Sequence, residues 1–305
     1  MSKTTIISEK PLLSVGLPVY NGESYLEKSI SSILQQSFED FELIISDNAS
    51  TDNTPEICIT YQKLDKRIKY HHSHENKGAA WNFRRVFQLS QGRFFVWATD
   101  DDYFDKNYFY RCIEILQKDD TIILCYANTN IIDAGGKIQK IHKDRFQLLC
   151  DSPSERFKIL INKLQLCNSA FGLIRSSVLA QTPVHDNFVA SDQPLLAELA
   201  IRGKFYEIEE PLIFRRIHPG GSRPAHPTDD LLAVWYNPRT KGKPPCRHWH
   251  HLVAYLSAIK RSKIKKTEKL RCYFYLMKFY RYKWRNLCRE MLDVFGYIKL
   301  KLRST

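Results

Sequence analysis

The sequence predicts an α/β protein: a mostly parallel, doubly wound sheet flanked by helices, followed by a basic helical extension. Two observations predict the sheet and a third the extension. Apolar runs of strand length alternate with segments of helical period through the first 130 residues, the pattern of successive βαβ units. The connections between them are short, which suits crossovers within one sheet. Charge is divided unevenly: residues 231–305 hold 19 Lys and Arg against 3 Asp and Glu, whereas residues 1–230 hold 27 against 30. The net charge of +13 therefore belongs to the tail, and a near-neutral body with a basic tail is the organisation to expect.

Taken in order, LLSVGLPVY (12–20) is an apolar run of strand length followed by the turn signal Asn21-Gly22. Tyr25, Leu26, Ile30, Ile33 and Leu34 then recur at helical spacing, with Ser24 placed to cap. FELIISD (41–47) is apolar on both faces and reads as a buried strand. Residues 48–64 give a polar loop and a helix with Pro55 in its first turn. RIKYHH (67–72) is a third strand, the loop SHENKG leads to a helix over 79–90, and RFFVWAT (93–99) is a fourth strand. A helix over 106–118 and the strand TIILCYA follow. Beyond residue 130, IIDAGGKIQKI reads as a hairpin, 155–165 as a helix and FGLIRSSVL as a strand running into a helix. DQPLLAELAIRG (192–203) reads as an amphipathic helix opening on Asp192 and closing on Gly203. FYEIEEPLIFRRIHPGGS reads as a strand pair with a Gly-rich turn, and NPRTKGKPPCR (237–247) as a linker before further helices.

Composition bounds the function. An apolar content of 43% with 12% aromatics supports a sizeable core. MSKTTIISEKP lacks the apolar h-region of a signal, and no run approaches the roughly 18 apolar residues of a membrane span. The eight cysteines contain no CxxC pair and read as reduced core thiols. These readings together predict a cytoplasmic protein. CRHWHH (246–251) gathers Cys and His, but no second ligand pair lies nearby, so it reads as a basic-aromatic surface stretch.

The chemistry concentrates at the ends of strands. Ligands of open α/β sheets bind beyond the carboxyl ends, and three ends here are unusually polar: Tyr20-Asn21, Asp47-Asn48 and Asp100-Asp101-Asp102. Asp102 or Asp105 could cap the next helix. Asp100 and Asp101 are then left repelling each other, and a hard divalent ion, Mg²⁺ or Mn²⁺, shared with substrate phosphates would relieve them. No GxGxxG follows the first strand and no GxxxxGK[ST] occurs, which disfavours dinucleotide oxidoreductases and P-loop enzymes.

SVGLPVYNGESYLEKSISSILQQSFEDFELIISDNASTDNT resembles the opening of family 2 glycosyltransferases. HENKGAAWNF, ATDDD, SDQPLLAEL and RRIH continue the likeness in order over roughly residues 12–222. The resemblance implies a glycosyltransferase A (GT-A) fold in a catalytic domain over 1–230. Its nucleotide-binding half covers about 12–130, its acceptor half about 131–230, and a basic, aromatic extension covers 231–305. It implies a metal-dependent, inverting hexosyltransferase that moves a sugar from a UDP- or dTDP-sugar to a saccharide or lipid-linked acceptor in cell-surface polysaccharide or glycolipid synthesis. Pro18, Val19, Tyr20, Asn21 and Glu23 match the first nucleotide loop, with the tyrosine ring against the base. Asp47 matches the acceptor for the pyrimidine N–H, Gly78 and Asn82 a cleft segment, Asp100 the ribose contact and Asp101 the metal ligand. Asp192 matches the catalytic base, although Ser191 stands where the family has Glu; Asp192 would also serve as a helix cap. His218 resembles a histidine that completes the metal or diphosphate site. Arg215 and Arg216 could face the diphosphate or cover the sheet edge.

The alternatives are a sugar-1-phosphate nucleotidyltransferase, which PVYNG does not resemble in its loop, and a non-catalytic carbohydrate- or nucleotide-binding relative. Lys and Arg interleave with Tyr, Phe, Trp and Leu over residues 248–305, so the tail is read first as an anionic-membrane surface at the inner face. Packing on the body or a dimer contact comes next, and nucleic acid is not expected.

Overall fold

The computed structural model describes residues 10–303; the leader reading of the first residues lies outside them. The elements are β1 (Leu13–Val19), α1 (Leu26–Leu34), β2 (Phe41–Asp47), α2 (Thr54–Leu64), β3 (Ile68–His72), α3 (Ala79–Gln88), β4 (Phe94–Trp97) and β5 (Tyr103–Phe104). Next come α4 (Tyr108–Lys118), β6 (Ile122–Ile132), β7 (Ile138–His142), α5 (Pro153–Lys163), β8 (Leu173–Arg175), α6 (Ser176–Leu179), α7 (Asp192–Arg202) and β9 (Lys204–Arg216). The chain ends with α8 (Ser222–Ala225), α9 (Asp229–Tyr236), α10 (Arg247–Arg261), α11 (Lys266–Tyr280) and α12 (Trp284–Arg303).

One sheet runs β3-β2-β1-β4-β8-β6-β9-β5, with β7 paired to β6. Its first four strands are parallel. β6 and β9 are also parallel, whereas β8 runs against both β4 and β6, and β5 against β9. The parallel reading therefore holds for the nucleotide half, and the second half is mixed. Strand alternation splits the core into two layers. Leu43, Ile45, Phe94 and Val96 face α1 and α4, while Ile44, Phe95 and Trp97 face α3, α5 and α7. Each fully buried side chain of this size contributes roughly 1.5–3 kcal/mol. β1 offers only Ser14, Gly16 and Pro18 to the second layer, and a Cβ on Gly16 would stand 2.7 Å from Phe95 and Val86. Small residues let α3 press onto the sheet, which brings its N-terminus over the strand ends.

Three local expectations change. Ser24 does not cap α1: the flanking residue is Tyr25, and it makes no side-chain cap. FYEIEEPLIFRR is one strand instead of a pair. The register jumps from Ala127↔Ile208 to Asn128↔Pro211, so Glu209 and Glu210 bulge out and the apolar pattern changes face mid-strand. The Nδ2 groups of Asn128 and Asn130 donate to the carbonyls of Glu209 and Pro211 (2.6 and 2.8 Å), partnering acceptors at the jump. α7 is not amphipathic: residues 194–201 are all buried, because α5 covers one side and α10 the other.

The C-terminal helices dock on the body. Residue 231 lies inside α9, and the stretch 237–247 contains a short 3₁₀ turn capped by Asn237. Tyr255, Ile259, Cys272 and Leu276 join the core layer of α5 and α7. Buried Glu198 of α7 accepts from Arg202 and from Arg261 of α10, each at 2.7 Å. Glu268 of α11 accepts from the Ser154 amide at 2.9 Å at the start of α5. The CRHWHH stretch opens α10. His248 bonds Glu290 at 2.7 Å, and buried His251 meets the Val189 carbonyl at 3.1 Å, so it is not a loose surface patch. Ile259→Ala is expected to cost roughly 2–5 kcal/mol and to lower a single melting transition of the whole chain. Two separated transitions in calorimetry would show that α10 and α11 unfold apart from the body.

Candidate active site

The loops after β1 and β2 are laced together. The amides of Asn21, Gly22 and Glu23 donate to Ser50 Oγ, Thr54 Oγ1 and Asp52 Oδ2, at 2.9, 2.9 and 3.1 Å. In return, Asn21 Oδ1 accepts from the Thr51 amide at 2.8 Å, and Glu23 Oε2 from the Asn53 amide at 2.9 Å. Asn82 Nδ2 donates to the carbonyls of Val19 and Ser46 (3.2 and 2.7 Å), pinning α3 between the two strand ends. This frame turns Tyr20 outward, 40% exposed, at the mouth of a cleft of about 620 Å³.

The three aspartates after β4 take different partners. Asp102 accepts from the Arg216 amide at 2.7 Å, which ties the end of β9 to the end of β4. Asp105 makes the turn before α4 by accepting from Asn107, so Asp102 is not the cap. Asp101 Oδ2 lies 3.0 Å from His218 Nε2. Tyr25 packs edge-on to His218 with centroids 4.8 Å apart, and the Arg216 guanidinium lies 4.3 Å over the same tyrosine ring. Burial, with the charge of Asp101 second, pushes Asp100 well above the usual carboxylate range. The same two causes push Asp102 up to about 7, against the Arg216 amide and the Arg215 charge.

That electrostatic state is what a bound cation would relieve. Among the described residues no group of three or more His, Cys, Asp or Glu is arranged to hold a metal. The Asp101–His218 pair fits a hard or borderline cation that takes its remaining ligands from phosphate and water.

Asp192 opens α7. Its Oδ1 accepts from the Gln193 amide at 3.0 Å. Burial raises its carboxyl, with hydrogen bonds from the Cys167 thiol and the Gln193 amide and the charge of Arg215 opposing. The residue as a whole is half-buried. The preceding Ser191 belongs to a buried knot: its Oγ lies 2.7 Å from Tyr236 Oη, and His185 Nδ1 lies 3.0 Å from the same hydroxyl. Burial pushes His185 down to about 3, so the ring is neutral and one nitrogen accepts. α9 thereby holds the residue next to Asp192. Tyr236→Phe is expected to cost about 1–3 kcal/mol of stability by leaving Ser191 and His185 short of a partner. An unchanged melting temperature would remove Tyr236 from this role.

Of the residues expected from sequence, Pro18, Val19, Tyr20, Asn21, Asn82, Asp100, Asp101, Arg215, Arg216 and His218 line one cleft. Four do not. Asp47 is fully buried and accepts from the Ser50 amide, Tyr70 Oη and His72 Nδ1 at 2.8, 2.8 and 3.1 Å, so its carboxylate faces the fold. Its neighbour Asn48 lines the cleft instead. The signal was available: position 47 shares the face of Leu43 and Ile45, the core side. Glu23 braces the 50–54 loop. Gly78, at φ +85°, admits the Tyr236 carbonyl oxygen and the Pro238 ring, both 2.6 Å from where a Cβ would stand. Asp192 lies outside the lining set.

The arginines are braced. Arg215 Nη1 donates to the Leu166 carbonyl and Asn168 Oδ1, and Arg216 to the carbonyls of Asp101, Asp133 and Ala134. Asn76, from the HENKGAAWNF segment, also lines the cleft, as do Phe171, Arg223, His226 and Trp235, to which no sequence motif pointed.

Residues 14–180 match the family described as Glycosyl transferase family 2. The putative teichuronic acid biosynthesis glycosyltransferase TuaG of Bacillus subtilis is 37% identical over 109 residues, covering 36% of this chain and 43% of its own. The uncharacterized glycosyltransferase RP339 of Rickettsia prowazekii is 31% identical over 169 residues, 55% of this chain and 48% of its own. The chain thus spans less than half the length of these curated relatives. Among solved structures, S. aureus TarS 1–349 in complex with UDP-GlcNAc superposes with a TM-score of 0.65 at 16% identity, over 88% of this chain and 72% of that one. The mannosyltransferase PcManGT of Pyrobaculum calidifontis, in complex with GDP-Man and Mn²⁺, gives 0.50 at 14% identity, over 94% and 86%. At such identities the likeness concerns the fold, which is GT-A. With its family match covering more than half of its length, the chain belongs to glycosyl transferase family 2.

Proposed function

We propose that the protein is a metal-dependent, inverting glycosyltransferase that moves a hexosyl group from a UDP- or dTDP-sugar to a hydroxyl of a saccharide or lipid-linked acceptor. Residues 1–230 would form the catalytic part, with nucleotide binding in 12–130 and acceptor binding in 131–230. The observation that carries the reading is the convergence of Tyr20, Asp100 and the Asp101–His218 pair on one cleft. The cleft's volume is in the range of small-molecule sites. The neighbours' bound UDP-GlcNAc and GDP-Man support a nucleotide-sugar donor. The name of TuaG supports a cell-surface polysaccharide as the product.

In this reading Tyr20 stacks on the base, the polar loop of Asn21 and Asn48 meets its edge, and Asp100 contacts the ribose. Mg²⁺ or Mn²⁺ held by Asp101 with His218 would neutralise the diphosphate as it leaves. The Asp192 carboxylate takes the proton from the acceptor hydroxyl while that oxygen bonds to the anomeric carbon. The bond from that carbon to the diphosphate oxygen breaks on the opposite face, its electron pair leaves with the diphosphate, and the configuration inverts. Arg215, pinned beside Asn168, keeps a positive charge near both Asp102 and Asp192. In this reading the enzyme works in the cytoplasm at the inner membrane face and takes a lipid-linked acceptor there.

Asp101→Asn is expected to abolish divalent-dependent transfer with the melting temperature of the free protein held. Full activity in that variant, or in chelator, would sink the metal assignment. Asp192→Asn is expected to lower turnover by roughly 10²-fold or more, with donor affinity by titration unchanged. Because burial raises the Asp192 carboxyl, the base is ionised only above that raised value. Turnover should therefore hold at high pH and fall through a limb above the usual carboxylate value of about 4. A limb near 4, or a product of retained configuration by NMR, would overturn the base assignment.

A further inference from the structure

α10, α11 and α12 carry apolar side chains on two faces, and one of those faces is left uncovered. α11 shows this most directly. Cys272, Leu276 and Tyr280 are buried in the body, while Leu270, Phe274 and Met277 point outward with 67%, 58% and 67% exposure. A helix apolar on both sides is at home only where its second side meets another apolar medium. On α12, Trp284, Met291, Phe295 and Ile298 recur at i, i+7, i+11 and i+14 and form one exposed stripe. Its other side is fastened to α10 through Glu290 on His248 (2.7 Å) and Trp249 Nε1 on the Leu287 carbonyl (2.9 Å). More than half of the exposed large apolar side chains among the described residues lie beyond residue 250, which exceeds the single scattered residues of an ordinary surface.

Charge selects the occupant. Arg285 and Lys299 stand beside the α12 stripe in helical projection, and residues 231–305 carry 19 cationic against 3 anionic side chains. A second copy would bring the same positive charge to the face and be repelled. A nucleic acid would use the cations and leave the apolar stripes in water. No helix among the described residues is long and apolar enough to cross a membrane, so the stripes suit a helix lying in the interface.

We propose that α11 and α12 form a monotopic surface for anionic phospholipid. The apolar stripes enter the headgroup–acyl boundary, and the flanking Lys and Arg meet the lipid phosphates. The purpose of this surface, bringing the cleft to a lipid-linked acceptor, rests on the transferase reading; the binding itself follows from the helices.

The test is sedimentation of the full chain with vesicles of equal parts phosphatidylglycerol and phosphatidylcholine, against vesicles of phosphatidylcholine alone. The protein is expected to pellet with the anionic vesicles and to be released in part by high salt, which screens the cations and spares the apolar contact. Phe295→Asp combined with Ile298→Asp should weaken that binding by about tenfold or more, with melting temperature and donor hydrolysis in solution unchanged. Arg285→Gln combined with Lys299→Gln should erase the preference for anionic vesicles. Wild-type pelleting by the double aspartate variant overturns the proposal, as does equal binding to both vesicle types. A dimer in sedimentation velocity that the double aspartate variant dissolves would give the face to a second copy. RNA binding with a steep salt slope and no vesicle binding would give it to nucleic acid. Loss of donor hydrolysis with vesicle binding intact counts against the transferase reading alone.

Discussion

The hydrogen bond from the Arg216 amide to Asp102 joins the end of β9 to the end of β4, and the rim of the cleft depends on it. Three successive carboxylates at a strand end repel one another and lose hydration in a cleft. Asp102 is held by a backbone donor, Asp101 meets His218, and Asp100 is left with burial and its neighbour's charge. The same short stretch of β9 supplies the Arg216 amide, its guanidinium on the Asp101 carbonyl, and His218 two residues on. Without that return strand the aspartates would have no ordered counterpart, and the Asp101–His218 pair would not form.

The remainder of the site is framed by contacts that keep loops apart or together at fixed spacing. The reciprocal bonds between residues 21–23 and 50–54 make two loops behave as one surface. Gly78 lets the chain after α9 lie against the start of α3, and Tyr236 in that same passage fixes Ser191 beside Asp192. Nucleotide loop and proposed base, far apart in sequence, thus share one support from α9. That support lies beyond residues 14–180 of the family match.

What could be read from sequence follows how local each signal is. β1 and β2 are buried on both faces along their whole length, so their apolar runs and their polar ends marked them within a residue or two. β6 runs on past the apolar run TIILCYA, because Asn128, Thr129 and Asn130 are buried strand residues and the asparagine amides serve the β9 bulge. The same bulge disguised β9 as two strands. At the site, the loop residues that follow strands were legible because the fold puts all parallel strand ends on one rim. Side-chain direction follows strand alternation instead, which turns Asp47 to the core side with Leu43 and Ile45. Trp235, Arg223 and Phe171 arrive at the cleft through tertiary packing alone, and no local pattern announces that.

The bulged pairing of β6 with β9 also sets an order of events during synthesis. Asp101 and His218 are 117 residues apart in the chain, and contacts of such separation close late because loop entropy must be overcome first. The parallel β3-β2-β1-β4 half is complete in sequence by residue 97, long before β9 is made. A growing chain emerging from the ribosome can therefore present folded nucleotide loops while its aspartate rim is still open. The competent rim appears only once the return strand has zipped past its bulge, and its carboxylates stay unneutralised until then.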